Sequence, residues 1–370
     1  MSEGGQDEAP LAARIRALIE TAGPLSVFDY MALCLADPQH GYYMRAEPFG
    51  AGGDFITAPE VSQLFGEMIG AWLVHAHAAS GAPKKFHLVE LGPGRGTLMA
   101  DILRVARLRA EFRVAASPHL VETSPRLREI QKATLDGEAT NAQWHDTVAT
   151  LPGDAPLLIV ANEFFDALPI RQYVRLQGRW RERCVGLADD GQSFRFIAGA
   201  GELEDADLAP RLLDAPEGAI LETQPLANAL MQELATRLAA QGGALLAIDY
   251  GYGRTAAGDT LQALRGHQHV SVLEAPGLCD LTAHVNFEAL ARAASFAPLR
   301  SRRLLGQGEF LLALGLLERA GQLGADKSED DQERIRGEVE RLAAHDQMGD
   351  LFKVLAIAPD TVPLMPFDPV

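Results

Sequence analysis

Cysteine and lysine are scarce in this 370-residue chain. The three cysteines, Cys34, Cys184 and Cys279, lie far apart and form no CxxC pair. An odd, dispersed set gives neither a disulfide framework nor a thiolate cage for structural zinc, so no metal is expected. No stretch reaches the roughly 18 uninterrupted apolar residues a membrane span requires, which argues against membrane insertion. Positive charge is also in deficit: 50 acidic against 33 basic side chains leave a formal charge of −17. That is the wrong sign for a surface that must neutralise phosphates, so nucleic acid is not an expected partner. The opening MSEGGQDEAP is acidic and polar, without the basic and apolar regions of a leader, and a cytoplasmic location is expected.

What is present is an ordinary globular composition, 47% hydrophobic and 6% aromatic, with length enough for a large core. Apolar positions at helical spacing run from Leu11 to Leu35, broken at Gly23-Pro24, and resume from Ser62 to about His77. Between them, residues 36–60 are dense in Gly, Pro and Asp and predict a long loop. Strands and helices then alternate. Strands are predicted at Phe86–Leu91, His119–Glu122, Gln143–His145, Leu157–Val160 and Ala244–Ile248. Helices are predicted at Thr97–Leu108, Ser124–Leu135 and Leu226–Ala239. Strands apolar throughout, with helices between them, predict an α/β fold with a parallel sheet covered on both faces. Residues 171–199 alternate in a strand-like way around Gln177-Gly178 and Asp189-Asp190-Gly191, so a β insertion is expected there, extending to about residue 215. Lys327–His345 reads as a charged surface helix. The chain is therefore expected to divide into an N-terminal helical region with an active-site loop (1–80) and a core from residue 81 to 370.

The most informative stretch is HLVELGPGRGTLMADIL, residues 87–103. Gly92, Pro93, Gly94 and Gly96 form a GxGxG turn between a strand and a helix. Dinucleotide folds carry GxGxxG, and Thr97 stands where their third glycine would be. No lysine follows the turn, which argues against a nucleoside triphosphate. Glu90, two residues before the first glycine, would oppose a pyrophosphate, whereas it can accept a bond from an ammonium. S-adenosylmethionine carries an ammonium and a sulfonium and no phosphate. Glu122, with Thr123 beside it, ends the next strand where a carboxylate can accept both ribose hydroxyls. Asp146 ends the third strand and can bond the adenine amino group, with a helix N-cap role as the alternative. After the fourth strand, Asn162 and Glu163 fall where open α/β sheets place ligands. Asn162 offers a donor and an acceptor, and Glu163 a carboxylate for a cationic acceptor.

Seven stretches together resemble the MidA-like class I methyltransferases, a family that includes a mitochondrial arginine methyltransferase of complex I assembly and bacterial relatives. They are DPQHGYYM (37–44), GDFITAPEVSQLFGE (53–67), VELGPGRGTL (89–98), VETSP (121–125), NEFFDALP (162–169), IDYGY (248–252) and DLTAHVNF (280–287). The resemblance implies a Rossmann-like, seven-stranded, mostly parallel methyltransferase sheet with N-terminal helical and inserted β/α elements. It implies S-adenosyl-L-methionine as cofactor and an arginine on a protein, a complex I type subunit, as acceptor. Only five lysines and no leader before the first matching stretch suit a bacterial, cytoplasmic member. Within that reading, Glu163 is the first candidate to clamp the guanidinium, assisted by Asp54 or Asp280. Thr57 lies in a loop over the methionine end of the cofactor, and His284 is a candidate proton relay. A small-molecule methyltransferase and a noncatalytic cofactor-binding assembly factor are the alternative readings.

Overall fold

A computed structural model describes residues 10–45, 57–138, 141–204 and 208–368. These residues pack as two compact units. One comprises Ile56–Phe165, Asn228–Gly253 and Phe287–Val370, the other Met1–Phe55, Asp166–Ala227 and Arg254–Asn286. The division expected at residue 80 is not the one the packing makes. Helix Gln63–Ala79 buries Leu64, Phe65, Ile69, Trp72 and Leu73 in one core with the sheet residues Leu88, Val160 and Leu246, so it belongs with the sheet.

The first unit's sheet has a continuous run of seven strands, numbered here in chain order: β1 (Phe86–Leu91), β2 (Ala116–Val121), β3 (Gln143–His145), β4 (Leu157–Asn162), β5 (Gly243–Tyr252), β6 (Leu299–Ser301) and β7 (Phe352–Pro359), with the two-residue Leu305–Gly306 pairing antiparallel with β7 off this run. Their order across the sheet is β6-β7-β5-β4-β1-β2-β3. All neighbours from β5 to β3 run parallel, and β7 alone runs antiparallel, between β5 and β6. Every residue of β1 and β4 is buried, which explains why both are predominantly apolar and why their polar residues, His87, Glu90 and Asn162, stand out. The chain starts in the middle at β1, proceeds outward to β3, then returns to the other side of β1 with β4. The strand order therefore reverses between β1 and β4, and the carboxyl ends of these two strands form the crevice where such sheets bind ligands. This is the expected methyltransferase sheet.

The second unit pairs the inserted strands with the N-terminal helices Pro10–Ala22 and Val27–Ala36. Arg171–Leu176, Arg179–Leu187 and Phe194–Leu203 form an antiparallel meander, turning at Gln177-Gly178 and around Gly191. Ile220–Thr223 adds to its edge. Ile15, Tyr30, Met31, Ile170, Val185 and Leu281 form the core of this unit. All three cysteines are buried free thiols.

Crossing β1, β2 and β3 is a line of histidines, one per strand. His87 Nδ1 lies 2.9 Å from His119 Nε2, and His119 Nδ1 lies 2.9 Å from His145 Nε2. The outer ends meet Asp154 Oδ1 at 2.9 Å and Thr150 Oγ1 at 3.0 Å. Parallel register explains the line: His87 lies opposite Ser117 and His119 opposite Gln143, so each ring reaches diagonally to the next strand. Burial pushes the central His119 down to about 4, helped by the neighbouring imidazoles. In the unfolded chain its imidazole titrates near 6.5. Between those values the unfolded chain takes up a proton that the folded one refuses, so stability falls as the pH drops from about 6.5 to about 4. Melting temperatures measured across this window should fall more steeply for the native protein than for His119→Gln. Equal slopes would remove the histidine line as a source of acid lability.

Candidate functional site

The site begins where β1 ends. Gly92, Gly94 and Gly96 all take left-handed backbone, with φ of +59°, +52° and +84°. At Gly92 a Cβ would also stand 2.7 Å from the Phe164 ring, so both conformation and space demand glycine there. The turn is closed by Gly96 N–H donating to the Pro93 carbonyl at 2.7 Å and tied to β2 by Gly92 N–H donating to the Val121 carbonyl at 3.0 Å. Helix Thr97–Ala106 follows at once.

Two acceptors converge on the crevice. Glu90 lies opposite Val160 in the β1–β4 pairing, and Asn162 is two residues beyond Val160, so Glu90 and Asn162 share a face of the sheet. Both are buried, and Glu90 Oε2 and Asn162 Oδ1 lack a hydrogen-bond partner among the described residues. Burial pushes the Glu90 carboxyl up to about 8; the Met99 backbone N–H opposes that rise and the charge of Asp101 adds to it. Buried acceptors left without donors are costly in a finished protein. A ligand ammonium would satisfy both.

Glu163 follows Asn162 and holds a left-handed backbone, φ +48°. Its Oε1 accepts from the Ala58 N–H at 2.9 Å and from Asn162 Nδ2 at 3.2 Å. Ala58 opens the short helix Ala58–Val61, with Thr57 at its N-cap making no side-chain cap bond. On the same helix Glu60 accepts from the Thr97 hydroxyl at 2.6 Å. This helix thus links the turn after β4 to the helix after β1. Asp54 lies outside the described residues.

On the β2 side, the Glu122 carboxylate accepts from the Ser124 N–H at 2.7 Å and from Gln131 Nε2 at 3.2 Å. Burial raises its pKa against those bonds. Thr123 beside it is exposed. The Asp146 side chain is 76% exposed and ion-paired with Arg128, which also donates to the Glu122 carbonyl. His284 and Asp280 belong to the second unit. There Asp280 accepts from the Tyr43 hydroxyl at 3.1 Å, and burial lowers the pKa of His284.

The sequence reading gave no role to two buried residues that hold the turns around the crevice. Asp249, fully buried on β5, accepts the N–H groups of Phe164 and Phe165 at 3.1 and 3.0 Å and so holds the turn that carries Glu163. A single acid inside the apolar run ALLAIDY was the signal. Gln131, buried in helix Pro125–Thr134, connects the glycine turn to Glu122 and left no signal in a charged helix. No group of three or more His, Cys, Asp or Glu among the described residues is placed to hold a metal ion. No helix among them is long and apolar enough to cross a membrane.

A family model of S-adenosyl-L-methionine-dependent methyltransferases matches residues 68–303. A Mus musculus protein named "Protein arginine methyltransferase NDUFAF7, mitochondrial" is 36% identical over 380 residues, which is 95% of this chain and 84% of that protein. Its Drosophila melanogaster homolog is 36% identical over 387 residues, 97% of this chain and 87% of that one. A crystal structure from Burkholderia thailandensis with S-adenosyl-homocysteine bound is 32% identical with a TM-score of 0.83, covering 95% of this chain and 92% of that one.

Proposed function

Because the chain belongs to the MidA-like family of S-adenosyl-L-methionine-dependent methyltransferases, we propose that it methylates an arginine side chain of a protein substrate. The bound cofactor supplies a methyl group already activated on a sulfonium, so the protein mainly has to orient the partners for in-line displacement. Glu90 and Asn162 accept the cofactor's ammonium through their unpartnered buried oxygens. The left-handed glycines let the backbone approach it closely, and Glu122 accepts the ribose hydroxyls.

An arginine acceptor is cationic, with a pKa above about 12, and its guanidinium matches a carboxylate fork to fork. Glu163 provides that fork. It draws the positive charge towards two nitrogens and leaves the third to attack. The attacking nitrogen's lone pair forms the new N–CH3 bond, the C–S bond breaks towards sulfur, and the substituted nitrogen sheds one proton.

The observation that carries this reading is the Asn162-Glu163 pair at the carboxyl end of β4, with Glu163 fixed by the Ala58 N–H. Relatives named as protein arginine methyltransferases support it, and a complex I type subunit is the first substrate to try. The Glu163→Gln variant should bind S-adenosylhomocysteine within about threefold of the native protein yet lose at least a hundredfold in turnover, as loss of orientation implies. Tritiated methyl transfer followed by acid hydrolysis reads both rate and product. Label in methylarginine supports the proposal. Label in another amino acid or in small molecules, or full turnover by Glu163→Gln, overturns it.

A further inference from the structure

We propose that Gln131 is a positioning residue for the cofactor's ribose, acting through Glu122 and the glycine turn. The inference rests on Glu122 being the ribose acceptor. Gln131 has no exposed surface, yet it sits in a helix, PRLREIQKAT, whose only other buried residue is Leu127. A buried primary amide must satisfy two donor hydrogens and a carbonyl, and each finds one partner here. Trp144 Nε1 lies 2.8 Å from the Gln131 oxygen. An indole N–H only donates, so the atom facing it is the amide oxygen and the flip is settled. The Nε2 group then faces the Gly94 carbonyl at 2.8 Å and Glu122 Oε2 at 3.2 Å.

One side chain therefore joins the turn after β1, the acid after β2 and the strand β3. The Ser124 N–H takes Glu122 Oε1 at 2.7 Å, so both oxygens of that carboxylate are held by fixed donors. Gln131 is neutral and orients the carboxylate without cancelling its charge, which leaves lone pairs for a vicinal diol. The approach is close: a Cβ at Gly96 would stand 3.4 Å from Gln131 Cα. Such packing fixes the amide relative to the turn, so both acceptors it orients move together if it is lost.

The test is calorimetric binding of S-adenosylhomocysteine and its 2′-deoxyribose analogue to the native protein, Glu122→Gln and Gln131→Met. The native protein should prefer the ribose ligand by at least about tenfold, because a site built around a hydroxyl rejects the analogue lacking it. Gln131→Met should lose about tenfold for the ribose ligand and under threefold for the deoxy ligand. Equal weakening of both ligands means a purely structural role and overturns the inference, as does unchanged discrimination. A native protein that does not discriminate at all, together with an unaffected Glu122→Gln, instead overturns the ribose role of Glu122. Should Gln131→Met lose its fold by circular dichroism, Trp144→Phe carries the test. It frees the amide to rotate and should reduce the discrimination about threefold, and unchanged discrimination there overturns the inference.

Discussion

S-Adenosylhomocysteine is expected to bind about fiftyfold more weakly at pH 6 than at pH 8. The cause is Glu90. Its carboxyl is buried at the crevice and titrates at about 8, pushed up by desolvation and by the charge of Asp101. Below that pH the ligand-free protein carries a proton on Glu90. A ligand ammonium needs the ionised form, so every binding event must expel the proton. Affinity then falls about tenfold per pH unit below pH 8 and levels off above it. The same shift acts oppositely on stability. Between the unfolded value near 4.5 and the folded value near 8, the folded chain holds a proton that the unfolded chain has lost. That contribution is fully present below 4.5 and disappears as the pH rises through 8. Methylthioadenosine, which lacks the methionine ammonium, should bind with no such slope, and Glu90→Gln should flatten the profile for S-adenosylhomocysteine. A flat native profile from pH 6 to 8 would remove Glu90 as the ammonium acceptor.

Glu90 and the glycine turn could be read from sequence because each signal is local. A mostly apolar six-residue strand carries an acid, Glu90, next to its last residue, and three glycines alternate before a helical period begins. Asn162-Glu163 was legible for the same reason, as polar residues closing a buried strand. The sequence reading was weaker where the determinant is a distant partner. β7, FKVLAIAP, is a short apolar run that no period distinguishes from a helix segment. It becomes a strand because Phe352 to Ile357 pair antiparallel with Tyr250 to Leu245. The three histidines lie on separate strands, and only parallel register brings them into line. Gln131 looks like surface because its helix is otherwise charged, and its burial comes from the turn and from Trp144. The helix Gln63–Ala79, placed in the N-terminal region from sequence, packs its apolar face into the sheet core. Burial of that face decides the unit.

Asp249 leads to a second large effect. Asp249→Ala should lower methyl transfer at least a hundredfold while S-adenosylhomocysteine binding changes by less than about threefold, since a displacement of about 1 Å in a positioning group has that cost. The carboxylate is wholly buried and receives two adjacent N–H groups, from Phe164 and Phe165. Charge-assisted bonds of this kind are about twice as strong as neutral ones. They hold the preceding Glu163 at φ +48°, a conformation that costs a side-chain-bearing residue about 1 kcal/mol or more and persists only when its surroundings impose it. Removing the carboxylate leaves two buried donors unsatisfied, each costing about 1–3 kcal/mol, so stability should fall by about 3 kcal/mol. With the turn released, Glu163 relaxes from the left-handed region and its carboxylate leaves the Ala58 N–H. The acceptor is then misplaced, whereas the Glu90 end of the crevice lies on a different strand and keeps its ligand. Asp249→Asn retains the shape and one good acceptor without the charge, and should give an intermediate loss of about tenfold. Urea denaturation separates the stability effect from the kinetic one, and single-turnover methyl transfer on the folded fraction measures the latter. A folded Asp249→Ala protein that turns over at the native rate would show that Glu163 holds its conformation without Asp249. An equal loss of binding and turnover would assign Asp249 to the cofactor pocket instead of the acceptor clamp.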